Sequence, residues 1–103
     1  MSMSPNLMAY ESEITAFEQA KQSPRGIRIE FDDLAAARYY ANRLHYARKR
    51  DRMENTRLFG PQTPMHGRSE FDAIRVRLRE DKIGHWWVYL EKNEEIPGNV
   101  EEL

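Results

Sequence analysis

Cations and aromatics alternate through the middle of this chain, where Arg38, Arg43, Arg48, Lys49, Arg50 and Arg52 are interleaved with Tyr39, Tyr40 and Tyr46. A guanidinium or ammonium neutralises phosphate and a phenol ring stacks on a nucleobase, so these two kinds of side chain on one surface suit nucleic-acid binding. A second set follows. Ile74, Val76 and Leu78 alternate with Arg75, Arg77 and Arg79, and Trp87 and Tyr89 hold alternate positions in the run WWVYL. At a period of two, each set presents one face of a strand. The predicted nucleic-acid-binding residues are Arg38, Arg43, Lys49, Arg50, Arg52, Arg75, Arg77, Arg79, Trp87 and Tyr89. Plainer roles exist for the same residues. Cations complement a helix C-terminus, and arginines shield an exposed sheet face while gaining about 0.5–1 kcal/mol over an indole.

The distribution of charge sharpens this reading. The 103 residues have a formal net charge of −1, yet residues 23–79 hold 13 Lys+Arg against 7 Asp+Glu, and the segments on either side are acidic. Polyanion binding requires the arginines of the middle third and those of the second set to converge on one accessible surface. Tyr, Trp and Arg are also the residues enriched at protein-binding hot spots, so a protein partner, with a homodimer as one form, is the alternative. The acidic C-terminal segment is able to compete for the basic face.

Catalytic chemistry finds little support. His45, His66 and His85 have no ligand-like spacing, and there is no Cys for a zinc site or thiol chemistry. Glu30, Asp32 and Asp33 could meet Glu70 and Asp72 to hold Mg²⁺ in a nuclease, but a helix cap and turn roles account for them more simply. Glu91-Lys92 lacks the intervening residue of a restriction-type carboxylate–lysine motif, and the five glycines form no phosphate loop. No catalytic residue, metal or cofactor is predicted.

Five elements must position the basic and aromatic side chains. Residues 10–22 place Tyr10, Ile14, Phe17 and Ala20 or Lys21 on one side of a short helix, which Ser23-Pro24-Arg25-Gly26 ends. Gly26 to Phe31 (GIRIEF) alternates as a strand, with Arg28 and Glu30 facing away from Ile27, Ile29 and Phe31. Asp32 or Asp33 caps a helix from Leu34 to Met53, whose core stripe is Leu34, Ala37, Tyr40, Ala41, Leu44 and Ala47. Its alanines imply close approach to a sheet. Arg48 enters that stripe and is expected to have its stem packed and its head partnered. On the far side Tyr39, Tyr46 and Met53 recur every seven residues, either as a stacking face or as a seat for the N-terminal helix or a second subunit.

A loop of roughly fifteen residues follows, expected to be pinned by Phe59 and Met65. The segment 73–80 is predicted as a strand, in competition with a helix begun by the capping-box-like Ser69-x-x-Asp72. Asp81-Lys82-Ile83-Gly84 turns the chain into the strand 86–90. Placing Leu78 opposite Trp86, Val76 opposite Val88 and Ile74 opposite Leu90 makes one apolar face, with Arg77 against Trp87 and Arg75 against Tyr89 behind it.

The fold class is therefore α+β, a small α-β-α-β-β domain with a three-stranded sheet and helices packed on one face. A single domain over 9–92 is expected between tails at 1–8 and 93–103. No run approaches a membrane span and no signal peptide is evident, which suggests a cytoplasmic protein. The stretch Ser23-Pro24-Arg25-Gly26-Ile27, a strand ending in an acidic cap, an alanine-rich helix with Arg43-Leu44-His45-Tyr46-Ala47-Arg48 and Arg52, and Phe71-Asp72 leading into a strand, resembles small uncharacterised accessory proteins of phages and prophages. That resemblance spans about residues 14 to 90. It implies a bacterial cytoplasm and action on nucleic acid or on a host protein, and brings no site residues. The function expected is a non-enzymatic module that binds DNA or RNA with little sequence preference.

Overall fold

The alternation in GIRIEF and AIRVRLRE and the aromatic run after Gly84 become three strands, β1 (Gly26–Phe31), β2 (Ile74–Glu80) and β3 (Trp86–Lys92), in the computed structural model, which describes residues 5–92. The strands form one antiparallel sheet in the order β1-β3-β2, so the aromatic strand is central. Three helices accompany it: α1 (Pro5–Met8), α2 (Glu11–Gln22) and α3 (Leu34–Leu58). The fold is α+β. Part of the segment expected as an N-terminal tail is helical, with Leu7 buried; the acidic segment from residue 93 lies outside the described residues.

One face of the sheet meets the helices. Ile14, Phe17 and Ala20 of α2 and Ala37, Ala41, Leu44 and Ala47 of α3 share a core with Ile74, Val88 and Leu90, and Ile27, Ile29, Phe31, Val76, Leu78 and Trp86 pack against it. Alanine on α3 leaves no side chain to hold the helix off the pleat, and so this helix lies close to the strands. The Asp33 carboxylate caps α3 by accepting the Ala36 N–H at 2.8 Å.

The helix continues past the expected end at Met53 to Leu58. Its apolar stripe ends at Ala47, but a buried polar stripe of Arg48, Asp51, Glu54 and Asn55 continues at helical spacing. Three of these side chains hold the segment that follows, while Glu54 pairs with Arg57 of the same helix. Arg48 donates to the carbonyls of Phe71 and Ile74, Asn55 to that of Arg68, and Asp51 accepts the Ser69 hydroxyl at 2.6 Å. The 59–73 connection is thus held from α3 rather than by Phe59, which is 39% exposed. Phe71 is its apolar anchor, stacked on Phe17 with centroids 5.0 Å apart.

The strand predicted over 73–80 forms, and the rival helix from Ser69 stops at a single turn. The Ser69 N–H reaches the Asp72 carboxylate at 3.0 Å and the Phe71 N–H reaches Ser69 Oγ at 3.0 Å, so the capping box forms, but it governs one turn before β2 begins.

The β2–β3 register differs from the expected one by two residues. Leu78 faces Val88, Val76 faces Leu90, and Glu80 faces Trp86. The strands run to the edge of a tighter turn closed by Asp81 N–H to the His85 carbonyl at 2.9 Å, with Gly84 at φ 89°. A shift of two preserves every side chain's face, and hydrophobic patterning therefore selects the face without selecting between these registers.

Candidate functional site

The face of the sheet away from the helices gathers half of the predicted residues. Trp87 and Tyr89 stand on it from central β3. The register sets Arg77 beside Tyr89, Arg79 beside Trp87 and Arg75 beside Glu91 on the β2 side, and Arg28 beside Tyr89 on the β1 side. Arg28 was absent from the predicted set. Its parity in GIRIEF already turned it away from the core, but only the strand order brings β1 alongside the aromatics.

The rings are held in place. Trp87 Nε1 donates to Asp81 Oδ2 at 2.8 Å, and the Arg28 guanidinium lies 4.0 Å from the indole centroid. Arg28 also reaches the Tyr89 hydroxyl at 3.4 Å, while Arg79 approaches the Tyr89 ring at 5.9 Å. Arg77 pairs with Glu91 at 3.1 Å. Arg28, Arg75 and Arg79 are in no ion pair among the described residues.

The hairpin end of this face is clasped by Asp81, His85 and Glu30, whose ligand atoms lie within 4.8 Å of one another. Asp81 Oδ1 accepts the Ile83 and His85 N–H groups at 3.0 and 2.9 Å, and Glu30 holds His85 Nδ1. The Trp87 indole N–H and these backbone donors hold the Asp81 carboxyl below its ordinary range. The hydrogen bond that His85 donates to Glu30 raises the His85 pKa. A metal ion would meet three groups that already have partners, and the arrangement works as it stands to orient Trp87.

The acids of the nuclease reading do not come together. Glu30 sits at the β1–β3 end near Trp86, whereas Glu70 pairs with Lys21 and Asp72 with Arg52 near the opposite end of the sheet. Burial opposes ionisation of Asp72, but the Ser69 N–H and Arg52 lower its pKa below the ordinary value.

The other five predicted residues belong to the helical layer. Arg43 reaches across to Glu13 at 2.8 Å and to the Ala9 carbonyl at 2.6 Å, and lies 4.7 Å from the Tyr10 ring. Burial alone would raise Glu13; the Arg43 pair leaves it lowered instead. Arg52 pairs with Asp72 at 2.7 Å on the β2 side, where it lines a hollow of about 340 Å³ that also includes Arg75. Burial lowers His45 in that hollow, and the nearby Arg48 and Arg52 charges add to it. Arg38, Lys49 and Arg50 are exposed and in no ion pair among the described residues.

The two arginine sets therefore occupy opposite layers, although Arg52 and Arg75 line the same hollow. The single pooled surface that the sequence reading required is not formed, so binding through both arginine sets together fails, and a polyanion would have to be held by the sheet set and its aromatics without the helical cations. Tyr39, Tyr46 and Met53 are 65, 57 and 55% exposed, so the N-terminal helices do not cover them.

No helix among the described residues is long and apolar enough to cross a membrane. Comparisons with protein-family models, curated proteins and solved structures give no match to this chain.

Proposed function

We propose that the protein is a non-enzymatic, cytoplasmic module that binds single-stranded nucleic acid on the open face of its sheet, with little sequence preference. The observation that carries this reading is the central strand. It displays Trp87 and Tyr89 on the face away from the helices, with Arg28 on one side and Arg75, Arg77 and Arg79 on the other. Alternate residues on a strand are about 7 Å apart, leaving room for one base on each ring. Arg28 over the indole must move aside. That contact is worth roughly 0.5–1 kcal/mol, whereas base stacking on an aromatic contributes about 1–3 kcal/mol and the displaced guanidinium gains a phosphate. The exchange favours the bound state. Backbone charge and stacking supply the affinity in this reading, and every base has a face to stack.

The test is fluorescence anisotropy with a labelled oligo(dT) or oligo(U), repeated across salt concentrations. Three to four neutralised phosphates give a log–log salt slope of about −2 to −3 for a single strand. Arg75→Ala with Arg79→Ala, both exposed and outside any described ion pair, is expected to weaken binding about tenfold or more. Trp87 emission, isolated by subtracting a Trp87→Phe variant, is expected to be quenched on binding. Absence of binding at low salt overturns the proposal.

A further inference from the structure

The outward face of α3 presents a different chemistry. Tyr39, Tyr46 and Met53 form a straight stripe on the side opposite the core, each more than half exposed. Tyr10, Tyr46, Lys49, Arg50 and Met53 line a surface hollow of about 410 Å³ between the start of α2 and the middle of α3. Arg50 and Met53 carry it on into a second hollow of about 240 Å³ beside Glu54 and Arg57. An apolar floor with a seven-residue repeat matches the i, i+3, i+7 projections of an amphipathic helix.

Charge selects the occupant. Glu54, the carboxylate that lines these hollows, is already engaged by Arg57. Arg38, Lys49 and Arg50 have no ion-pair partner among the described residues. Two copies packed antiparallel about Tyr46 would set Lys49 of one against the Arg43–Glu13 pair of the other, which gives that ammonium no free carboxylate and so does not favour self-association. We infer that this groove docks an acidic amphipathic helix of a partner protein, whose apolar residues enter the Tyr10–Tyr46–Met53 hollow and whose carboxylates face Lys49 and Arg50. This surface is separate from the sheet face, and the inference does not depend on the nucleic-acid reading.

A displayed library of helical peptides, selected on the full chain and counter-selected on a Lys49→Glu/Arg50→Glu variant, tests it. Enriched peptides are expected to carry apolar residues at i, i+3 and i+7 flanked by Asp or Glu. A synthetic copy of the leading peptide is expected to bind at least tenfold more weakly to the double variant and to Tyr46→Ala, and more weakly at high salt. Both substitutions are at exposed positions; were the double variant not to fold, Met53→Lys interrogates the same stripe. Absence of enrichment, enrichment of basic peptides, or equal binding to the variants overturns the inference. So does a dimer seen by light scattering that Tyr46→Ala disperses, which assigns the groove to a second copy. Oligonucleotide binding that is lost in Lys49→Glu/Arg50→Glu and kept in Arg75→Ala/Arg79→Ala assigns it to nucleic acid instead.

Discussion

His85 and Ser69 each hold a piece of irregular chain beside the sheet. The hydrogen bond donated to Glu30 raises the His85 pKa, with the Glu30 and Asp81 charges adding to it. A raised folded-state pKa means that the ion pair's contribution is complete below the ordinary imidazole value and is lost as pH rises through the folded one. NMR titration of the His85 ring is expected to give a midpoint above that of an ordinary histidine, and Glu30→Gln is expected to return it toward normal. Ser69 donates to buried Asp51 and accepts from the Phe71 N–H, whose ring stacks on Phe17. Burial already raises the Asp51 carboxyl, and the hydroxyl is the donor that opposes this. Ser69→Ala leaves that buried carboxylate without its donor and is expected to cost about 1–3 kcal/mol in urea unfolding. Serine between an arginine and a glutamate gives no local sign of this burial; the partner is 18 residues away.

At the scale of elements, strands followed alternation closely, and β1 and β2 match their expected spans to within a residue. Such patterns are legible because a half-buried strand must sort its side chains by twos. The end of α3 was less legible because its last three turns bury Arg48, Asp51, Glu54 and Asn55, polar residues that hydropathy assigns to solvent. Gly26 shows how closely β1 joins β3. It has φ 107°, and a Cβ there would meet the Leu90 carbonyl oxygen at 2.0 Å. Gly26→Ala therefore combines positive-φ strain with a backbone clash and is expected to cost more than about 2 kcal/mol. For a domain of this size that corresponds to a melting temperature lower by roughly 10 °C or more, measurable by circular dichroism.

The whole molecule is two layers with a cationic surface on each. Those surfaces point in opposite directions because α3 buries its Ala37–Ala47 stripe against the same sheet whose other face carries the arginines and aromatics. If the sheet face is the nucleic-acid surface, Arg38→Ala, Lys49→Ala and Arg50→Ala together are expected to change oligonucleotide affinity less than threefold. Removing Arg75 and Arg79 is expected to lower the salt slope by about 1.4, at roughly 0.7 per phosphate contact on a single strand. Anisotropy titrations of the two variants side by side measure both quantities.

By itself, the order of residues determined what kinds of surface this chain would make. The alternation of β1 and β2, the alanine stripe of α3 and the Asp33 cap are local, and each follows from near neighbours along the chain. Which surfaces adjoin was decided only by the tertiary structure. Strand order placed Arg28 beside Tyr89, 61 residues away, and the sheet separated Arg75 and Arg79 from Arg38 and Arg50. The physical reason is that side-chain periodicity states which face of an element is apolar, while the packing of those apolar faces alone sets where the polar ones end up.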